Sequence, residues 1–333
     1  MTDDVLLIVS IDTEEDNWYR SREQVTCENI RELPRQADFF SRLGVRATYF
    51  TAYQVAIDPV AAGIMKSVAG RGEIAAHLHP WNTPPLSEAL VARNSMLKNL
   101  PAGLQRSKLE TLTTRLHETF GIQPRAFRAG RYGLGPSTVA ALVRCGYTVD
   151  SSVTPFVSWE DFDDGPNFVG APLDAYRIAP HGDVTQPAVD GEIVEVPLSC
   201  GFNRGPFPLW GRVRHALDTA ACRRLHLAGL AARTGICRRI VLSPELASVA
   251  EMLTLSRRLL ERDIRHLHLT WHSPSLTPGL GPFTLTRADV QRLYASVEDY
   301  LDRLSRIASP RFVTVSEAAA ILGNRSLPEV PAC

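Results

Sequence analysis

Val5-Leu6-Leu7-Ile8-Val9-Ser10-Ile11-Asp12-Thr13-Glu14-Glu15-Asp16 is an aliphatic run that stops abruptly at a cluster of carboxylates. Its first half, Val5 to Ser10, has the aliphatic, β-branched content of a buried strand. On extended backbone alternate side chains share a face, so Asp12 and Glu14 point into one pocket. Two carboxylates held together are costly unless a cation lies between them or one is protonated. The competing reading makes Glu14 to Asp16 a solvated loop and Asp12 a helix cap.

Working outward, short runs of the same kind recur and are separated by segments of helical period. Further strands are expected at Ala47–Thr51, Glu73–His77, Arg125–Arg128, Tyr147–Asp150, Ile193–Val196, Ile240–Leu242 and His266–Trp271. Helices are expected at Glu28–Leu43, Val60–Val68, Leu86–Leu97, Lys108–Phe120, Ser137–Cys145, Leu246–Glu261 and Arg287–Ile307. This alternation predicts the α/β class, in the form of a distorted (β/α) barrel of about seven strands. Asp12, His77, Arg128, Asp150 and His272 each stand at or just past the carboxyl end of such a strand, the face on which barrel active sites form. A single domain is expected over residues 1–325, with a basic helical insertion at about 203–239 and a flexible tail at 326–333.

His77-Leu78-His79-Pro80-Trp81-Asn82 carries two histidines at strand spacing, so both imidazoles project to one face and suit a single zinc-like cation. Trp81 offers a flat surface on which a sugar ring can stack. Arg128-Ala129-Gly130-Arg131-Tyr132-Gly133, Val149-Asp150-Ser151-Ser152 and Trp271-His272-Ser273 complete the set. Arg128 is suited to hold Asp12 ionised, and Asp150 to orient and charge-tune His272. The competing reading of Arg128 and Asp150 is a structural ion pair under the barrel rim.

Taken in order, these five elements resemble the polysaccharide deacetylases, carbohydrate esterases that share the nodulation-deacetylase homology domain. The similarity spans about residues 5 to 275 and is greatest to a branch with a His-x-His-Pro-Trp pattern. The resemblance implies a metal-dependent N-deacetylase of an acetylated amino sugar, with a divalent cation, zinc foremost, as cofactor. It places the base on Asp12, the acidic metal ligand on Glu14, the first histidine ligand on His77, the arginine beside the base on Arg128, the tuning aspartate on Asp150 and the acid on His272. The family's second histidine usually follows the first by four residues, where this chain has Trp81, so His79 takes that role, with Asn82 or water as the alternative. Trp81, Arg131, Tyr132 and Trp271 are the expected substrate contacts. The alternatives are hydrolysis of a non-sugar C–N bond, O-deacetylation, and a metal-free carbohydrate-binding protein on the same fold.

Composition bounds the rest. With 36 basic and 36 acidic side chains there is no general charge to draw a nucleic acid or a membrane surface. Eight arginines between Arg204 and Arg239, against the single acid Asp218, form the one local excess, read as a solvated helical face in preference to a peripheral membrane contact. Six cysteines without a C-x-x-C pair fit reduced thiols. An acidic start, Met1-Thr2-Asp3-Asp4, lacks the basic lead of a signal peptide, so a cytoplasmic location is expected. The sequence specifies no oligomeric state.

Overall fold

The computed structural model of the protein describes residues 3–18, 25–217 and 237–323. Strands β1 (Asp3–Thr13), β2 (Thr48–Ala52), β3 (Glu73–Leu78), β4 (Ala126–Ala129), β5 (Val149–Asp150), β6 (Tyr176–Ile178), β7 (Ile193–Glu195), β8 (Cys200–Phe202), β9 (Arg239–Val241), β10 (His266–His272) and β11 (Ala308–Val313) alternate with helices. The main sheet runs β10-β1-β2-β3-β4-β5-β7-β6, with β11 also paired to β1. All of its pairings are parallel except β6 with β7. The antiparallel β8–β9 pair stands beside β10, to which it is tied by Thr270 N–H donating to the Leu242 carbonyl (3.1 Å) and His268 N–H donating to Ser199 Oγ (2.9 Å). The result is a distorted (β/α) barrel.

Strand alternation sorts β1 into two faces. Val5, Leu7, Val9 and Ile11 pack outward with Phe40, Leu267, Leu269 and Trp271, against the helical layer. Leu6 and Ile8 instead share a cluster with Phe50, Val149 and Val196 that is floored by Ala318, Ala319 and Leu322 of the last helix. Burying such apolar side chains supplies about 1.5–3 kcal/mol each. Above this layer come Ser10 and then Asp12, so polarity rises along the strand towards its carboxyl end. In β10, His268, Thr270 and His272 alternate with Leu267, Leu269 and Trp271 and take the polar side.

Every expected strand is present, and β6, β8 and β11 are additional. One expected helix is not formed. Residues 86–97 make only the short 3-10 turn Ala92–Ser95 and the start of a second at Leu97–Asn99, and Leu86, Leu90 and Val91 remain exposed. The helical spacing of those apolar groups therefore has no face to pack on, and tertiary contacts decide the backbone. Lys108, fully buried on the helix Ala102–Phe120, donates to the carbonyls of Pro80 (2.8 Å), Thr83 (2.7 Å) and Pro85 (2.8 Å) and pairs with Glu88 (2.8 Å). Four acceptors on one ammonium pin the loop that follows His79. The expected basic insertion is described only as far as the helix Phe207–Leu217 and from Cys237 onward. Residues 218–236, and the expected tail, lie outside the described residues. No helix among the described residues is long and apolar enough to cross a membrane.

Replacing Lys108 with Ala strands a buried carboxylate and three carbonyls, and is expected to cost about 3 kcal/mol or more of stability. Chemical denaturation measures this, and an unshifted midpoint would show that the loop is held by other contacts.

Candidate metal centre and acid–base pair

The acidic cluster after β1 is folded inward. Glu14, Glu15 and Asp16 are each no more than 2 % exposed, which removes the solvated-loop reading. Asp16 accepts from the backbone of Glu28 and Asn29 and from the side chains of Thr26 and Asn29, anchoring the turn that opens the first helix. Glu14 N–H donates to Ser273 Oγ (3.1 Å), fixing this segment to the end of β10.

Glu14 Oε2 lies 3.3 Å from both His77 Nε2 and His79 Nε2, which are themselves 3.1 Å apart. The far nitrogens of the two rings define their tautomers. His77 Nδ1 faces the Arg128 carbonyl at 3.0 Å, and His79 Nδ1 faces Glu15 Oε1 at 2.8 Å. Both partners only accept, so both Nδ1 atoms carry a proton and both Nε2 atoms point at the same place. Burial pushes His77 down to about 3, despite the opposing pull of Asp12, which keeps its ring neutral. Glu14 Oε1 is buried without a hydrogen-bond partner. Burial, with the Glu15 and Asp12 carboxylates adding to it against His272, also holds the Glu14 carboxyl well above its usual range. Two imidazole nitrogens and a carboxylate oxygen converging in a buried pocket form a donor set that could hold a divalent cation.

The surrounding side chains make this set rigid. Trp81 stacks on His79 (centroids 4.2 Å apart, planes at 21°) and donates to Glu15 Oε1 (3.2 Å). It is 5 % exposed, so the expected sugar platform is instead a backing for the ligand ring. The reason is local: the chain leaves β3 at Pro80 for a 3-10 turn, which folds Trp81 back over His79. Gly130 stands where any β-carbon would collide with the His79 ring.

Beside this set lies an acid–base pair. Arg128 Nη1 donates to Asp12 Oδ1 at 2.5 Å, leaving Oδ2 at 3.9 Å from His272 Nε2. Although burial alone would raise it, the guanidinium holds the Asp12 carboxyl below its usual range. His272 is tuned by Glu245 and not by Asp150. Glu245 Oε2 takes His272 Nδ1 at 2.8 Å, while Asp150 accepts from Ser152 and shares a buried site with Glu195. The correction follows from topology: β5, which carries Asp150, is five places from β10 in the sheet, whereas Glu245 follows β9. Burial opposes protonation of His272, but Glu245, with Glu14 and Asp12 adding to it, outweighs burial and the ring is pushed up to about 10.

These groups open into a cavity of about 310 Å³ walled by Trp18, Met96, Tyr132, Trp159, Phe162, Leu246 and Phe283, with Arg131 at its edge. Arg131 and Tyr132 both take left-handed backbone, at φ 54° and 59°. That conformation costs about 1–2 kcal/mol per residue, offset by the Arg131–Asp163 ion pair (2.6 Å) and the Tyr132–Trp159 stack (5.2 Å). Trp271, expected as a substrate contact, is 2 % exposed and packs on Phe40 outside the barrel. Alternation with His272 requires this. Sequence reasoning missed Glu15, Trp18 and Glu245. The last was accessible, because Leu242-Ser243-Pro244-Glu245 follows an expected strand end as Asp12 and His272 do.

Neither a protein-family profile nor a curated protein matches the sequence, but solved structures match along almost its whole length. A protein from Mycobacterium smegmatis assigned as a polysaccharide deacetylase superposes with a TM-score of 0.54 at 16 % identity, covering 98 % of this chain and 96 % of that one. The chain has the polysaccharide-deacetylase fold. A Parabacteroides distasonis protein assigned as a glycoside hydrolase/deacetylase gives a TM-score of 0.58 at 12 % identity, over 98 % of this chain and 73 % of that one. The 4-alpha-glucanotransferase of Thermococcus litoralis also matches, at a TM-score of 0.50 and 10 % identity, over 96 % of this chain and 40 % of that one. A protein with a different named activity thus superposes on the same fold over part of its length, and the reaction must be argued from the side chains.

Zinc titration calorimetry tests the ligand set. His79→Ala is expected to abolish tight binding, and Glu15→Ala, which frees the ligand ring to turn, to weaken it about 10–100-fold. Unchanged affinity in His79→Ala would assign the third ligand elsewhere.

Proposed function

We propose that this protein is a divalent-metal-dependent deacetylase that hydrolyses the N-acetyl group of an amino sugar. The observation that carries the proposal is the convergence of Glu14 Oε2 and two Nε2 atoms beside a base and an acid whose proton affinities are pushed apart. Hydrolysis of an amide at neutral pH needs a proton acceptor for the attacking water and a proton donor for the departing nitrogen. When bound, a divalent cation supplies Lewis-acid activation of water and of the scissile carbonyl.

The chain's own residues perform the proton transfers. Arg128 occupies Asp12 Oδ1, so Oδ2 is the oxygen that takes the water proton. His272, held cationic by Glu245, donates from Nε2 to the amine as the C–N bond breaks. Phe283 stacks on His272 (5.6 Å, 17°) and limits the ring to one plane of approach. Trp18, about 6 Å from both His79 and His272, covers the reacting region and screens it from bulk water. The cavity volume suits one sugar ring with its acetamido group better than a long groove-bound chain.

Acetate release from a panel of N-acetylated monosaccharides, nucleotide sugars and short oligosaccharides, with and without chelator, tests the reading. Chelator-sensitive release is expected, and release only from O-acetyl esters or non-sugar amides would redirect the substrate assignment. Asp12→Asn is expected to bind the cation normally while turnover falls by about 10² or more. Near-normal turnover would remove Asp12 from the role of base.

The acid gives a pH test with a defined sign. His272 works while protonated, so activity falls as pH rises through its raised pKa. In Glu245→Gln the stabilising charge is lost, and the alkaline limb of the rate profile is expected to move to lower pH. An unmoved limb would mean that His272 is not the acid.

A further inference from the structure

His268 lies on β10, four residues before His272, and is fully buried among the polar side chains of the barrel interior. It does not line the cavity. Its Nε2 stands 2.8 Å from Ser10 Oγ and 3.2 Å from Arg128 Nη2. Arg128 Nη2 also reaches Ser151 Oγ (3.3 Å). A guanidinium can only donate, so its approach to His268 is a hydrogen bond when Nε2 carries the lone pair, which is the neutral form with its proton on Nδ1. Ser10 Oγ accepts from Arg128 Nη2 (3.0 Å), and its own single hydrogen is shared between the imidazole and Thr270 Oγ1 (3.1 Å).

The other acceptors around Arg128 complete a cradle. Nε donates to the Ser151 carbonyl (2.9 Å), and Nη1 donates to Thr270 Oγ1 (3.0 Å) as well as to Asp12. Phe50 lies under the guanidinium at 4.1 Å. Asp12 is the single carboxylate paired with Arg128 among the described residues, and His268 is the imidazole that meets its guanidinium. Nη1 and Nη2 belong to one rigid plane, so fixing Nη2 from below sets where Nη1 meets Asp12.

We infer that His268 is a positioning residue: as a neutral acceptor it holds the Arg128 guanidinium in the plane that presents Asp12 Oδ2 to the cavity. The inference rests on the deacetylase reading for its effect on turnover, but its geometry is independent of the reaction. Burial and the adjacent guanidinium both hold the ring well below its usual proton affinity. Protonation would oppose two cations at 3.2 Å in a fully buried site.

A matched pair of variants separates the acceptor from the volume. Gln and Met have similar length, but only Gln places an acceptor near the position of Nε2. H268Q is expected to stay within about threefold of the wild-type kcat, because the acceptor is kept. H268M is expected to lose about tenfold or more in kcat with KM and zinc affinity unchanged, because the base is misplaced and the ligand set is not. Equal losses in the two variants, or a loss that falls on KM or zinc affinity, would overturn the inference.

The tautomer itself supplies a readout that needs neither variant nor substrate. Nitrogen NMR of the wild-type protein should show His268 Nε2 as a bare nitrogen and Nδ1 as protonated across the stability range. If H268M fails to fold, this spectrum decides: a cationic ring or an Nε2–H tautomer overturns the inference, and the neutral Nδ1–H form sustains it. A wild-type protein that releases no acetate from any substrate would refute the hydrolytic reading and leave the NMR result standing.

Discussion

Two imidazole nitrogens and a carboxylate oxygen, buried and within 3.3 Å of one another, are costly to hold together unless a cation or a proton stands among them. The fold around the β3 carboxyl end is arranged to hold that unfavourable grouping in place. Strand spacing sets His77 and His79 on one face. The Arg128 carbonyl and Glu15 fix their tautomers, Trp81 backs one ring, and the missing side chain of Gly130 gives that ring its room. Below the strand end, Lys108 fixes the segment from Pro80 onward, so the turn that carries Trp81 cannot drift.

Arg128 joins this centre to the acid–base pair. Its carbonyl orients His77 while its guanidinium holds Asp12, so one residue at one strand end serves both halves of the site. Among the described carboxylates Asp12 alone pairs directly with the Arg128 guanidinium, with neutral acceptors taking the remaining hydrogens. That arrangement keeps Asp12 ionised in a buried position. The barrel interior is accordingly layered: aliphatic at Leu6 and Ile8, hydrogen-bonding at Ser10, His268 and Thr270, and reactive at Asp12 and His272.

Much of this was legible because it depends on local spacing. The aliphatic run of β1, the two-residue interval between His77 and His79, and the polar residues at strand ends are properties of short windows. What depends on which strands adjoin across the barrel was not. Asp150 and Glu245 both follow strand ends, and only the sheet order reveals that Glu245 is the one beside His272. Trp81 and Trp271 show the limits of reading an aromatic as a ligand platform. The first is folded back by the turn after Pro80, and the second lies on the outer face by the alternation that turns His272 inward. Residues 86–97 have helical spacing but no surface to cover, so periodicity there carried no structural meaning.

Because part of a glucanotransferase superposes on the same fold, the metal-centre assignment stands on the ligand set and not on the superposition. X-ray absorption at the zinc edge, on protein reconstituted with one equivalent of the metal, examines that set most directly. The account predicts a first shell of two imidazole nitrogens with carboxylate and light-atom oxygen, reduced to one imidazole in His79→Ala. A first shell containing sulfur, or one whose imidazole count is the same in both proteins, would contradict it.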